Sequence, residues 1–239
     1  MDRRRLTGPT VPDAVADLIA VMDRLRSPGG CPWDAAQTHA SLVPYAIEEV
    51  FEVAEAVETG DRTALLEELG DLLLQVVFHA RVATEHPTDP FDINDVAARV
   101  AAKLRHRHPH VFGDAVVQDA DDVHRRWERI KRAEKSRTSA FDGIPLGMPA
   151  LARAQKVVAK ALRAGPPVAG AVDVAADAAT DAPLPAAVAP GQRDPEGELG
   201  RRLLALVIDA ERSGQDAELA LRAAVRELES VARQREGRA

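Results

Sequence analysis

Two short acidic runs have the residue types and spacing to hold a cation. Glu48-Glu49-x-x-Glu52 puts carboxylates three and four residues apart, which on a helix is one face and adjacent turns. Glu68-x-x-Asp71 repeats the device further along. By itself the first run fits a solvated acidic face continuing through Glu55 and Glu58 as well as it fits a ligand set. The second run is harder to read as surface. Glu68, Asp71, Gln75 and His79 form a single polar stripe, at steps of three, four and four, in a segment otherwise rich in Leu, Val and Phe. Carboxylates withdrawn from water without partners are costly or become protonated, so the stripe has to face something charged or wet. Packing it against the first run would gather about four carboxylates, whose repulsion raises their pKa values unless a cation neutralises them. Donors that are all oxygen indicate a hard ion, so Mg²⁺ or Mn²⁺ is favoured over zinc. The Glu-x-x-His pairs of di-iron bundles do not occur.

Cations follow downstream, with Arg99, Lys103, Arg105 and Arg107 in one segment and Arg125, Arg126, Arg129, Lys131 and Arg132 in the next. Most read as plain solvated charge. A few of them beside a metal would make the cradle that a polyphosphate needs for its developing charge. Gly70, inside the second acidic segment, costs a helix about 1 kcal/mol relative to Ala, which suggests the close approach of a neighbour or ligand and fits a helix-packing contact equally well.

The elements that must position these groups are helical. Val15, Leu18, Ile19, Met22 and Leu25 recur at helical spacing up to Pro28-Gly29-Gly30. A second helix is expected from about Ser41 to Val57 and closes at Gly60-Asp61; a third, from about Thr63 to Ala83, is apolar around most of its circumference and is expected to be the buried central one. A fourth opens near Asp92 and ends before Pro109, and a fifth runs from about Asp121 to Lys135. Trp33 is expected to pack in the core rather than against a ligand. Short links between long helices imply an antiparallel bundle. Residues 164–195 change to Ala, Gly and Pro with few large apolar side chains, the composition of a disordered linker. Beyond it, Gly197-Glu198-Leu199-Gly200-Arg201-Arg202-Leu203-Leu204 partly repeats Glu67-Glu68-Leu69-Gly70-Asp71-Leu72-Leu73-Leu74, with Arg201 where the first copy has Asp71.

Composition agrees with an all-α class. The 239 residues are 46% hydrophobic and only 3% aromatic, and Ala, Leu, Val, Glu and Arg dominate. A net charge of −7 argues against a nucleic-acid-binding surface, which needs basic charge to displace counterions. One cysteine, Cys31, cannot form an internal disulfide, the first residues lack the apolar core of a signal peptide, and no apolar run is long enough to span a membrane. The expected compartment is the cytoplasm.

Five motifs in order complete the reading: C-P-W-D-x-x-Q-T at 31–38, E-E-x-x-E at 48–52, E-E-L-G-D-L-L at 67–73, K-L-x-x-R-H-P-H-V-F at 103–112 and W-E-x-I-K at 127–131. Together they resemble the MazG family of nucleoside triphosphate pyrophosphohydrolases, from residue 13 to about 160. The resemblance implies an all-α antiparallel bundle that assembles as a dimer or higher homo-oligomer. It implies cleavage of nucleoside triphosphates between the α and β phosphates to a monophosphate and pyrophosphate, in a house-cleaning role against non-canonical nucleotides. Carried over position by position, Glu49, Glu52, Glu68 and Asp71 would hold Mg²⁺. Glu48 would be an outer carboxylate or the base that orients water, Lys103, Arg107 and Lys131 would face the phosphates, and Trp127 would pack beside the nucleotide. The implied division is a catalytic domain over 1–163, a linker over 164–195 and a degenerate second copy over 196–239, because the second copy lacks its own E-E-x-x-E helix. A competing reading is a catalytically silent oligomerising or regulatory module that uses the carboxylates as a structural metal clamp.

Overall fold

Helix-forming signals in the sequence are realised in a computed structural model, which describes residues 11–115, 117–119, 122, 123, 126, 127, 130, 134, 139–180 and 195–236. Ten α-helices and no strand occur among the described residues, so the all-α expectation holds. The chain divides into two compact units, Met1–Trp127 and Glu128–Ala239.

In the first unit, α1 (Val11–Arg26), α2 (Pro32–Ala36), α3 (His39–Thr59), α4 (Arg62–Ala83), α5 (Ile93–Arg107) and α6 (Pro109–Phe112) follow one another through short links. The turn that follows α1 requires glycine at position 30, where a Cβ would lie 2.2 Å from the Leu25 carbonyl oxygen. Helix α3 starts at His39, two residues earlier than its apolar pattern suggests, since Thr38 and Ser41 close a capping box there. Met22 of α1, Leu42 of α3 and Val77 and Phe78 of α4 form the core, with Leu18, Ile19, Leu74, Val82 and Ile93 packed around them. Arg26 clamps both carboxylate oxygens of Glu85, at 2.8 and 2.9 Å, and Arg81 bonds Asp23 and Glu85, which ties α1 to the end of α4.

Helix α4 departs from the expected fully buried centre. Gln75, Val77, Phe78, Ala80 and Ala83 are buried, whereas Leu66 is 76% exposed and Leu69, Leu73 and Val76 are also open. On α3, Ile47, Val50 and Val57 are exposed as well. The described helices cover one side of this hairpin, through contacts of α1 and α5 with α4, and leave an apolar face on the other. Trp33 likewise departs from the expected core position. It is 51% exposed and sits edge-on to Tyr45 and Phe78. The expected fifth helix lies mostly outside the described residues, although Asp122, Val123, Arg126, Trp127, Ile130 and Glu134 are helical.

The second unit contains α7 (Ala150–Arg163), α8 (Pro166–Thr180), α9 (Pro195–Arg212) and α10 (Ala217–Glu236). Val158, Ala161, Val172, Val207 and Ile208 form its core. Gln155 fastens α7 to the link between α9 and α10, bonding Glu211 and the Gln215 carbonyl and accepting the Ala217 amide. Helix α8 occupies residues that composition reads as linker. Proline at its start is compatible with a first helical turn, the Ala-rich continuation is a strong helix former, and Val172 gives it one buried anchor. The remainder of that stretch, residues 181–194, lies outside the described residues.

Candidate functional site

The link between α3 and α4 sets the register of the acidic groups. Gly60, in the left-handed conformation at φ 73°, ends α3, and the Asp61 side chain accepts the Thr63 and Ala64 amides to start α4. So short a turn makes the helices antiparallel. Glu49 then comes opposite Asp71, and His39 comes opposite His79.

Carboxylate oxygens of Glu49, Glu68 and Asp71 lie within 4.8 Å of one another, and all three side chains are half-buried. Burial lifts the Glu49 carboxyl above the usual glutamate range, and the charges of Asp71 and Glu52 lift it further. Glu68 is raised by burial and by the charges of Glu52, Glu67 and Asp71. Glu52 adds to both shifts. Like charges gathered this closely are relieved by a proton or a cation. An all-oxygen set at this separation suits a hard divalent ion, and these residues fit a metal site.

The two readings of the first acidic run each hold for part of it. Glu48, Glu52 and Glu55 are exposed, while Glu49 is turned toward α4. Glu52 acts on the cluster through its charge, and both it and Glu48 stand outside the three-oxygen group. Lys103 lies on α5 with Arg99 in an open groove of about 670 Å³, which Phe91, Asp95, Val96 and Val100 also line. Arg107 is buried, and its guanidinium stacks 5.6 Å from the ring centre of Trp127. A residue expected to face the phosphates thus meets the one expected to pack beside the nucleotide. Lys131 lies outside the described residues.

The polar stripe of α4 continues past the carboxylates. Gln75 is 7% exposed, and its Oε1 has no hydrogen-bond partner among the described residues. One turn further, the Nδ1 atoms of His79 and His39 are 2.8 Å apart with the rings stacked. Burial, then the charge of His39, lowers the His79 pKa. Sequence reading places His79 on the stripe but misses His39, whose role is visible only once the turn at Gly60 fixes which residues face each other. Gly70 meets nothing within 4 Å of a built Cβ, so the close neighbour its position suggested is absent among the described residues.

The site defines a class: an all-α protein with a carboxylate cluster able to hold a metal ion on facing turns of a helical hairpin. Comparison with known proteins narrows the class. Residues 37–112, which contain α3 to α6, match the model of the MazG nucleotide pyrophosphohydrolase domain. A nucleoside triphosphate pyrophosphohydrolase of Escherichia coli K12 is 42% identical over 222 residues, covering 89% of this chain and 83% of that protein. An uncharacterized 26.1 kDa protein of Streptomyces cacaoi is 46% identical over 222 residues, covering 92% and 82%. A nucleoside triphosphate pyrophosphohydrolase/pyrophosphatase of Thermotoga maritima is 44% identical over 151 residues, covering 62% and 57%. The chain belongs to the MazG nucleotide pyrophosphohydrolase family.

Proposed function

We propose that this protein is a nucleoside triphosphate pyrophosphohydrolase that cleaves the α–β phosphoanhydride to give a nucleoside monophosphate and pyrophosphate. The observation that carries the reading is the convergence of Glu49, Glu68 and Asp71 on facing turns of α3 and α4, within the segment that matches the family. Mg²⁺, with Mn²⁺ as a substitute, would be held by Glu49, Glu52, Glu68 and Asp71. When bound, it would polarise the phosphate oxygens and lower the pKa of a water.

The chain's own part is placement and charge. Half-buried Glu49, Glu68 and Asp71 form the acidic wall of the site, and Glu48, one residue before Glu49, would serve as an outer carboxylate or as the base that orients the attacking water. Lys103 and Lys131 supply positive charge to the phosphates, and buried Arg107 holds the Trp127 ring as a face for the nucleotide. In-line attack depends on such alignment more than on any covalent step. The substrates are nucleoside triphosphates, including non-canonical ones, and the compartment is the cytoplasm; among the described residues no helix is long and apolar enough to cross a membrane. A homodimer in which a second copy covers the exposed Ile47, Val50, Leu66 and Leu69 face accounts for that apolar surface. Catalysis belongs to the N-terminal part of the chain, whose carboxylate cluster lies within the first unit, and 196–239 is a partial second copy without its own ligand set.

Product analysis by chromatography tests the reading, using a panel of NTPs and dNTPs with and without Mg²⁺ and a Glu52→Ala control. Monophosphate plus pyrophosphate, dependent on metal and lost in the variant, is expected. Release of orthophosphate, or turnover that persists in Glu52→Ala, overturns the assignment. No turnover with metal-dependent stabilisation intact makes the protein a silent metal-clamped module.

A further inference from the structure

Helix α10 has no buried residue, yet its sequence is not that of a solvated helix. Leu221, Val225 and Leu228 are exposed, Leu228 by 69%, and with Ala232 they follow steps of four, three and four. That is the a/d spacing of a coiled-coil seam, in which each apolar side chain needs a facing helix. The residues flanking the seam differ on its two sides. One flank carries Arg222 and Glu229, of opposite charge and seven residues apart; the other carries Ala217, Ala224 and Val231, with no charge at all.

We propose that α10 pairs antiparallel with α10 of a second copy of this chain. The pattern is self-complementary in that orientation. When Val225 meets the partner's Leu228, Leu221 meets the partner's Ala232, and each layer sets a large side chain against one of similar or smaller size. The same register brings Arg222 to the partner's Glu229 on one flank and Ala224 to the partner's Val231 on the other. A two-fold axis generates every one of these contacts twice, as an isologous interface requires. A parallel pairing would set Arg222 and Glu229 beside the uncharged flank and leave both without an intermolecular counter-ion. Glu229 is held at 3.5 Å by Arg233 of its own helix, an exposed contact that leaves its second oxygen for Arg222. This seam lies in the second unit and is separate from the apolar face of α3 and α4, so it does not depend on the assignment of activity.

Disulfide trapping on the full-length chain tests it, with Cys31→Ser in every variant to remove the native thiol. Val225→Cys chains, carrying a tag that changes their migration, are mixed with Leu228→Cys chains and oxidised. The mixed cross-linked dimer is expected to exceed clearly the half share that random pairing gives. Adding Arg222→Glu to both chains should reduce trapping several-fold by facing like charges, Glu229→Arg should do the same, and the double exchange should restore it. Both cysteine sites are exposed in the chain, and unchanged far-ultraviolet circular dichroism checks that each variant folds. Absence of cross-links, homodimeric cross-links as abundant as mixed ones, or charge exchanges without effect would each overturn the antiparallel seam.

Discussion

Replacing Asp71 by Asn should make the metal-free protein more stable and the metal-loaded protein less stable than wild type. Asn keeps the shape of the side chain and removes one negative charge from a cluster whose oxygens lie within 4.8 Å. For the Asp71–Glu49 pair at that separation, Coulomb's law gives about 1 kcal/mol with the dielectric of water and about 3.5 kcal/mol at an effective value of 20. Both side chains are half-exposed, so solvent screening selects the lower figure. Relief of about 1 kcal/mol corresponds to a rise of about 2–4 °C in Tm for a chain of this size. Mg²⁺ acts in the opposite sense, since a ligand at a free concentration one hundred times its Kd adds about 2.7 kcal/mol to the folded state. Wild type should gain most of this and Asp71→Asn little. Calorimetric scans of both proteins in EDTA and across a Mg²⁺ titration should therefore cross. A variant less stable than wild type in EDTA, or one that Mg²⁺ stabilises equally, would refute the view that the cluster is a repulsive site relieved by a cation.

Other consequences are open to the same kind of measurement. Arg26 and Arg81 hold Glu85 below the usual carboxylate range, so its contribution is present above about pH 4.5 and is lost as pH falls through the lower folded value. Glu85→Gln should cost under about 1 kcal/mol at neutral pH, given its exposure, and nothing at strongly acid pH, as read by urea unfolding at both. His79 is shifted the other way, because burial and His39 disfavour its charged form. The unfolded chain then binds the proton more readily below about pH 6.5, and stability should fall as pH drops through that range; a His79→Gln variant should flatten this arm of the profile. Gly70→Ala should stabilise by about 1 kcal/mol, since nothing stands within 4 Å of the added methyl. Loss of turnover in that stabilised variant would place the substrate or a second chain against this turn of α4.

The helices of the first unit were legible because periodicity, caps and breakers agree there: Asp61 and Asp92 start helices where the apolar pattern starts them. Pairing of the two acidic runs followed from the cost of hiding Glu68 and Asp71 without a counter-charge. Sequence patterns record which faces are apolar, but not what covers them. That is why α4, apolar almost all round, was expected at the centre of the bundle although Leu66 and Leu69 lie open. The same limit applies to Trp33, whose size suggested a core position that the short helix α2 does not provide. The stretch after Arg163 misled for a different reason. Proline and alanine fit both a linker and the start of a helix, and only the packing of Val172 against Val158 and Val207 decides between them. The meeting of His39 with His79 required the exact turn length, which composition does not carry.

The turn at Gly60 also bears on how the site comes into being. Every carboxylate of the cluster lies between residues 49 and 71, so the whole acidic set is assembled by closing one helical hairpin. Contacts this local in sequence form early and fast, because little chain entropy is lost in closing them. As the chain emerges from the ribosome, α3 and α4 are complete well before the second unit has been synthesised. Capture of a cation by the nascent hairpin would then offset the repulsion among its own carboxylates and make the ion a participant in folding, with the later half of the chain free to diverge without dismantling the ligand set.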